Sequence, residues 1–254
     1  MNLGLHGKLA LVTGASSGLG RACALALAAE GARLALAARR AELLDTVTRE
    51  AQEAGSPDAR AYRVDLSNPG SVAKLLADMR AAQGDPDVLI ANGGGPKPGG
   101  ASALAVEDWD TGYSTVMRPM LELVSGVVPA MRARTWGRIV YLGSSGLKTP
   151  IPNLALSNAF RAGVLGALKT LSREVAADGV TVNVIATGRI ETDRTHQLYK
   201  DPETWRRVEG EIPVGRFGKP EEFAPLVVFL CGESARYVTG TTISVDGGLS
   251  PTMT

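Results

Sequence analysis

The sequence has few of the residues that build disulfide frameworks and metal sites. It contains two cysteines and two histidines among 254 residues. Cys23 and Cys231 lie in apolar helical patterns, and neither they nor His6 and His196 show the spacing of metal ligands. These features argue against a disulfide-stapled fold and predict that the chain holds no metal ion.

The chain also lacks an excess of one charge and a long apolar run. Its formal net charge is +1, which argues against nucleic acid or an anionic membrane surface as a partner. No apolar stretch reaches the length that spans a bilayer. Residues 1–7 do not combine a basic segment with a long apolar one. We therefore expect no secretory signal and a cytoplasmic protein.

What is present is a regular alternation of short apolar runs with helical patterns. Strands are predicted at 8–13, 33–38, 61–64, 87–91, 138–143, 181–186 and 242–245. Helices are predicted near 18–30, 41–54, 69–82, 107–134, 154–177 and 219–231. This alternation indicates βαβ units. It predicts an α/β fold, namely a Rossmann-like doubly wound seven-stranded parallel sheet with helices on both faces, built by residues 1–254 as one domain.

A glycine turn follows the first predicted strand. Residues 8–13 run into Gly14, and Gly18 and Gly20 come before an alanine-rich helical pattern. Backbone N–H groups at such a strand–turn–helix junction can bind a pyrophosphate, because glycine leaves no Cβ in the way. The alternative is a sharp connection that binds nothing, since three glycines after a strand permit both.

With Thr13 in front of it, this spacing resembles the Thr-Gly-x-x-x-Gly-x-Gly motif of short-chain dehydrogenase/reductases. The resemblance covers essentially the whole chain, and residues 212–222 and 237–248 are typical of the 3-oxoacyl-carrier-protein reductase type. It implies hydride transfer with a nicotinamide dinucleotide. It also implies cofactor contacts from the turn residues Thr13, Gly14, Ser16, Ser17, Gly18, Leu19 and Gly20.

The end of the second strand predicts which dinucleotide is bound. Ala38, Arg39 and Arg40 stand where an acidic residue would bind the adenosine ribose hydroxyls. A guanidinium is the natural partner of a phosphate group. We therefore predict a preference for NADP(H) over NAD(H). The alternative is a pair of solvated arginines at the start of a helix.

The resemblance implies further cofactor contacts at the ends of later strands. Residues 91–94 (ANGG) stand where the family has Asn-Asn-Ala-Gly, and residues 187–192 (TGRIET) stand where it has Pro-Gly-x-x-x-Thr. Asp65 corresponds to a residue beside the adenine, although it is equally explained as the anchor of a loop. The implied contacts are Asp65, Leu66, Asn92, Gly93, Gly94, Gly188, Ile190 and Thr192.

The catalytic positions depart from the family pattern. By spacing, the family's Asn, Ser, Tyr and Lys fall on Val116, Ser144, Ser157 and Arg161. A serine hydroxyl is a far weaker acid than the phenol it replaces, and a guanidinium cannot relay a proton. We predict Ser144, Ser157 and Arg161 as the catalytic set, with Arg161 also on the cofactor ribose. Tyr113, one turn before Val116, is either a hydroxyl donor or a half-buried structural residue.

Two further stretches predict a lid and an interface. Residues 189–217 are expected to form a polar, irregular substrate lid, whose arginines either bind an acidic group such as a carrier phosphate or are solvated. These arginines are Arg189, Arg194, Arg206 and Arg207. Small residues on the helix from 154 predict a homo-oligomer, a tetramer or a dimer, unless they serve packing within the chain. They are Ala159, Gly163, Gly166 and Thr170.

Two hypotheses for the function follow. The first is an NADP(H)-dependent oxidoreductase with an atypical active site, acting on a small-molecule or acyl-carrier-linked carbonyl or alcohol. The second is a dinucleotide-binding protein with little or no turnover, which serves as a sensor or a partner subunit.

Overall fold

The computed structural model describes residues 2–253. Its strands are β1 (Leu9–Thr13), β2 (Arg33–Ala38), β3 (Ala59–Arg63), β4 (Val88–Ala91), β5 (Gly137–Leu142), β6 (Val180–Thr187) and β7 (Thr242–Val245). Its α-helices are α1 (Gly18–Ala29), α2 (Ala41–Glu53), α3 (Ser71–Ala82), α4 (Val106–Gly112), α5 (Arg118–Ala133), α6 (Ala155–Val175), α7 (Asp193–Leu198), α8 (Pro202–Gly210) and α9 (Pro220–Cys231).

The strands form one parallel sheet in the order β3-β2-β1-β4-β5-β6-β7. β1 pairs with β2 on one side and with β4 on the other, so the direction of winding reverses there. In such a sheet the crevice beyond the carboxyl ends of these two strands is the place for a ligand. The predicted doubly wound seven-stranded parallel sheet is confirmed.

Both faces of the sheet are covered by helices. The side chains of Ala10 and Val12 on β1 belong to one core with α1, α2 and α9. Those of Leu9 and Leu11 belong to a second core with α3, α5 and α6. This explains why the strands are short apolar runs rather than alternating patterns, since each is buried on both sides. Cys23 and Cys231 are free thiols in the first core.

The predicted boundaries are wrong in three places. The third strand begins at Ala59 rather than at 61 and ends at Arg63. As the edge strand it carries exposed polar residues, which hide it from a search for apolar runs. The segment 189–217, expected to be irregular, contains α7 and α8 around a small core of Val208, Ile212 and Phe217.

The third difference interrupts the long helix predicted at 107–134. A π-helical turn at Tyr113–Met117 separates α4 from α5, and the backbone N–H of Arg118 donates to the carbonyl of Tyr113. Pro119 explains the break, because it has no N–H to continue the α-helical ladder at this point. One extra residue in the turn changes which side chains face the sheet afterwards.

Among the helices described, none combines the length and the apolar character needed to cross a bilayer.

Candidate active site

A cavity of about 580 Å³ lies at the carboxyl ends of β1, β4, β5 and β6. It extends from the end of β2 to the amino-terminal half of α6 and is covered by residues of α7. Of the residues predicted from the sequence, it is lined by Gly14, Ser16, Ser17, Gly18, Leu19, Arg39, Arg40, Asp65, Leu66, Asn92, Gly93, Gly94, Ser144, Ser157, Arg161, Gly188, Ile190 and Thr192. The structure therefore brings all but two of the predicted residues to one site.

The two predicted residues outside the cavity wall support it from behind. The Thr13 hydroxyl donates to the Asn92 carbonyl over 2.6 Å and accepts from the Asn92 N–H over 2.8 Å, which joins the ends of β1 and β4. Gly20 lets α1 pack against the turn, because a Cβ there would lie 2.2 Å from the carbonyl oxygen of Gly14. Both residues shape the site without facing it.

The glycine turn has the geometry that a pyrophosphate requires. Gly14 and Gly18 have φ values of +62° and +53°, a region that other residues rarely adopt. A Cβ on Gly14 would also lie 2.7 Å from Nδ2 of Asn92. Ser17 begins α1 with no side-chain hydrogen bond to the helix end. The first N–H groups of α1 are therefore free of a side-chain cap and can meet an anion at the positive end of the helix.

We predict that Gly20→Ala lowers the free energy of unfolding by about 1–3 kcal/mol, because the added methyl forces the helix away from the turn. It should also weaken nucleotide binding. Urea unfolding and a nucleotide titration measure the two effects.

Gly100→Ala is the matched control. Gly100 has φ −75° and ψ 147°, and nothing lies within 4 Å of a Cβ built on it. Alanine should leave stability unchanged or raise it by about 0.4–1 kcal/mol. Equal effects of the two variants would show that the close approach of Gly20 to Gly14 is not tight in solution.

At the end of β2 the two predicted arginines have different surroundings. Arg40 donates through Nη2 to the Ser17 hydroxyl over 2.5 Å, and its Nη1 lies 3.7 Å from Oδ2 of Asp193. Within residues 2–253, the Arg39 side chain forms no hydrogen bond or ion pair. Arg40 therefore links the glycine turn to α7, whereas the guanidinium of Arg39 is available to bind a phosphate group.

Asp65 is held by its own loop. Its Oδ1 accepts hydrogen bonds from the hydroxyl of Ser67 at 2.7 Å and from its backbone N–H at 3.0 Å. These two bonds hold the pKa of the Asp65 carboxyl below its ordinary value, with the positive charge of Arg39 as a smaller cause. Asp65 thus has the loop-anchor geometry that the sequence left open, and it also lines the cavity.

Two of the three predicted catalytic residues, Ser157 and Arg161, are joined by a hydrogen bond, and Ser144 lines the same cavity. Arg161 donates through Nε to the Ser157 hydroxyl oxygen over 3.2 Å, as expected for residues four apart on α6. Its Nη1 lies 3.2 Å from the Tyr141 hydroxyl and 3.3 Å from the Leu142 carbonyl. The Ser144 oxygen accepts from the N–H of Gly146 over 3.1 Å. The O–H groups of Ser144 and Ser157 can therefore point into the cavity while their oxygens accept.

Tyr141 and Thr115 are parts of this region that the sequence analysis missed. Tyr141 lies in the buried strand β5, where an aromatic residue is indistinguishable from core. Val116 is 3% exposed in the π-helical turn, and its neighbour Thr115 lines the cavity instead. Tyr113 is 44% exposed and lies near Phe160, with ring centroids 6.3 Å apart. It is not among the cavity-lining residues, so its geometry supports the structural interpretation.

The four lid arginines separate into two pairs. Arg189 and Arg194 line the cavity. Arg206 and Arg207 lie exposed on α8, outside the cavity wall, and Arg207 pairs with Glu211. The side chains of Trp205 and Phe217 stack with centroids 4.1 Å apart and hold α8 on the lid core.

The chain is similar to known proteins over almost its whole length. The family described as "Enoyl-(Acyl carrier protein) reductase" matches residues 14–250. The 3-oxoacyl-[acyl-carrier-protein] reductase FabG of Escherichia coli (strain K12) is 35% identical over 254 residues, which cover 97% of this chain and 99% of that protein.

Solved structures are similar over the same length. L-sorbose reductase from Gluconobacter frateurii, complexed with NADPH and L-sorbose, has a TM-score of 0.94 at 33% identity and covers 100% of both chains. A variant of actinorhodin polyketide ketoreductase with NADPH has a TM-score of 0.91 at 34% identity, over 97% of this chain and 98% of that one. This chain is therefore an oxidoreductase of the short-chain dehydrogenase/reductase family, similar to the 3-oxoacyl-[acyl-carrier-protein] reductases.

Proposed function

We propose that this protein is an NADP(H)-dependent oxidoreductase that acts on a carbonyl or alcohol through Ser144, Ser157 and Arg161. One observation carries the proposal: a single cavity joins the glycine turn and Arg39 to these three residues. A dinucleotide bound along it would have its phosphates at one end and its reactive ring at the other.

Each part of the cofactor has residues that fit it. The turn from Gly14 to Gly20 would hold the pyrophosphate, and Arg39 would hold the 2′-phosphate. Asp65 and Leu66 would border the adenine, and residues 92–94 a ribose. The nicotinamide ribose would contact Arg161, and the carboxamide would contact Gly188, Ile190 and Thr192. When bound, the cofactor supplies or accepts the hydride.

The side chains would stabilise the oxygen of the carbonyl substrate. The hydroxyls of Ser144 and Ser157 donate to it, which favours the charge that develops there. Arg161 keeps a positive charge beside Ser157 and orients that hydroxyl through the 3.2 Å bond from Nε. Since neither serine is a strong enough acid, the proton comes from water or from a lid side chain. Tyr199, which lines the cavity and belongs to the lid, has a hydroxyl group that could supply this proton.

The alternative, a dinucleotide-binding protein without turnover, has less support because the relatives named above are reductases. The substrate we propose is a small-molecule or acyl-carrier-linked carbonyl compound. We also propose a cytoplasmic homo-oligomer, a tetramer or a dimer. Ala159, Gly166 and Thr170 are exposed on α6 and available to a second copy, whereas Gly163 serves packing within the chain, since a Cβ on it would lie 3.1 Å from Sδ of Met117.

The cofactor preference makes a direct prediction. Arg39→Ala should raise the Kd for NADPH about 10- to 100-fold and leave the Kd for NADH unchanged, because a charged hydrogen bond to the 2′-phosphate contributes about 1.5–3 kcal/mol. Fluorescence titration of both nucleotides measures this.

Arg49→Ala is the control variant. Arg49 is exposed on α2 and outside the cavity, so its removal deletes the same charge without touching the site. Equal loss of NADPH and NADH binding in Arg39→Ala would contradict the assignment of the 2′-phosphate. If the wild type binds neither nucleotide, both the enzyme and the sensor hypotheses fail.

A further inference from the structure

The charges on the cavity wall are unequal. Five arginines and two aspartates line it: Arg39, Arg40, Arg161, Arg189, Arg194, Asp65 and Asp193. Asp193 lies beside Arg40, and Asp65 accepts from Ser67 near Arg39, so both acids belong to the cofactor end. Within residues 2–253 the other three arginines form no ion pair. The cavity therefore has positive charge that no acidic side chain on its wall neutralises.

Arg194 places one of these charges in the cavity that the predicted catalytic residues also line. Its guanidinium lies over Gly95, and its Nη2 donates to the Pro96 carbonyl over 3.3 Å. Burial and the positive charge of Arg161 both lower the pKa of Arg194. Like charges on the wall of one cavity repel each other, and an anion bound in the cavity would reduce that repulsion.

Arg189 supplies an unused donor on the same wall. Its Nε is buried and has no hydrogen-bond partner among the described residues. Its guanidinium carbon is 5.5 Å from the centroid of the Tyr199 ring, which also lines the cavity. The two terminal nitrogens of Arg189 are not buried and form no hydrogen bond within residues 2–253, so they are the donors that a ligand in the cavity can meet.

We propose that the substrate carries a carboxylate within a few bonds of its carbonyl, and that Arg194 and Arg189 bind this carboxylate. The inference rests on the proposed function, because Ser144 and Ser157 fix where the carbonyl oxygen lies. A guanidinium binds a carboxylate through two parallel hydrogen bonds, which also orients the carbonyl for hydride transfer.

Two other anions fit the site less well. The phosphates of the cofactor would meet the glycine turn and Arg39, where Asp193 pairs with Arg40, whereas Arg194 turns towards the Pro96 carbonyl after β4. The phosphate of an acyl carrier is separated from its carbonyl by the whole pantetheine arm, whereas Arg194, Arg161 and Ser157 line one cavity. A carboxylate on the substrate itself is the anion that reaches both the arginines and the serines.

The test compares oxo acids with their methyl esters. Pyruvate, acetoacetate and levulinate place a ketone at increasing distance from a carboxylate. Each methyl ester removes the charge and adds one methyl group, and only in pyruvate does it also make the adjacent ketone markedly more electrophilic, so acetoacetate and levulinate are the decisive pairs. We expect kcat/KM for NADPH oxidation to be at least 10-fold higher for the best acid than for its ester. Arg194→Gln and Arg189→Gln should each raise KM for the acid about 10- to 100-fold and leave the ester unaffected.

Arg206→Gln is the matched control, since it removes one exposed charge from the same lid outside the cavity. It should leave kcat/KM unchanged for both the acid and its ester. Arg194→Lys, which keeps the charge but not the planar pair of donors, should recover part of the affinity. Esters that react as well as the acids, or equal losses in Arg206→Gln, would overturn the inference while the proposed function stands.

A binding measurement separates this inference from the proposed function. The acids and esters are titrated calorimetrically into the free protein and into the protein saturated with NADP⁺, where no hydride is available to reduce a ketone. Tighter binding of an acid that weakens in Arg194→Gln supports the carboxylate site even if no compound is reduced. If no acid binds better than its ester in either state, the inference is wrong whatever the turnover.

Discussion

Ser144→Ala is expected to lower kcat/KM for carbonyl reduction by about 10²–10³-fold, the effect of removing one donor to a developing oxyanion. In the native protein the Ser144 oxygen accepts a hydrogen bond from the Gly146 N–H over 3.1 Å, so the hydroxyl hydrogen is free to donate to the substrate. The Kd for NADPH should not change, because the hydroxyl meets the substrate and not the phosphates. Steady-state kinetics and a nucleotide titration on the same preparation measure both quantities.

Ser145→Ala controls for the loss of a hydroxyl at this turn. Ser145 is the next residue, is buried, and is not among the cavity-lining residues. Its alanine variant should keep most of the activity. If Ser144→Ala is as active as Ser145→Ala, the carbonyl oxygen lies elsewhere. A parallel rise in the Kd for NADPH would instead assign Ser144 to the cofactor.

The sheet could be predicted from the sequence because its strands are buried on both faces. β1 and β4 read as short apolar runs between turns, and the glycine turn after β1 marks where the chain enters α1. The edge strand β3 and the π-helical turn at Tyr113–Met117 do not follow from such patterns. Their form depends on neighbours and on a missing N–H at Pro119, which local periodicity does not report.

The candidate site likewise contains residues that the sequence predicts and contacts that only the fold creates. Residues that act through the backbone, such as Gly14 and Gly18, could be found because glycine in a turn has a local steric reason. The contact of Arg161 with Tyr141 joins residues 20 positions apart, and the cavity that Arg161 and Arg194 both line joins residues 33 positions apart. No spacing rule connects them. Only the fold shows that Arg189 and Arg194 line the same cavity as Ser144 and Ser157.

Introducing a phenol at position 157, where this chain has a serine, is expected to have a second large effect on activity. Ser157→Tyr combined with Arg161→Lys should raise kcat about 10²-fold or more, the range over which a positioned general acid accelerates a proton transfer. Positions 157 and 161 share one face of α6, so the tyrosine and the lysine would stand side by side at the cavity wall. A phenol ordinarily has a pKa near 10, and the adjacent lysine would lower it towards the working pH. The gain should therefore decline as the pH rises through the pKa of this phenol, whereas the wild type should show no such decline from position 157.

Ser157→Phe combined with Arg161→Lys separates the acid from the bulk of the ring. It has nearly the same volume and the same lysine but no hydroxyl, so it should stay at or below the wild-type kcat. If this variant and the tyrosine variant are equally active, the proton does not pass through position 157, and the phenol that the family pattern places there is not what limits this enzyme. Stopped-flow measurement of NADPH oxidation in a single turnover distinguishes these results, because product release then does not contribute to the observed rate.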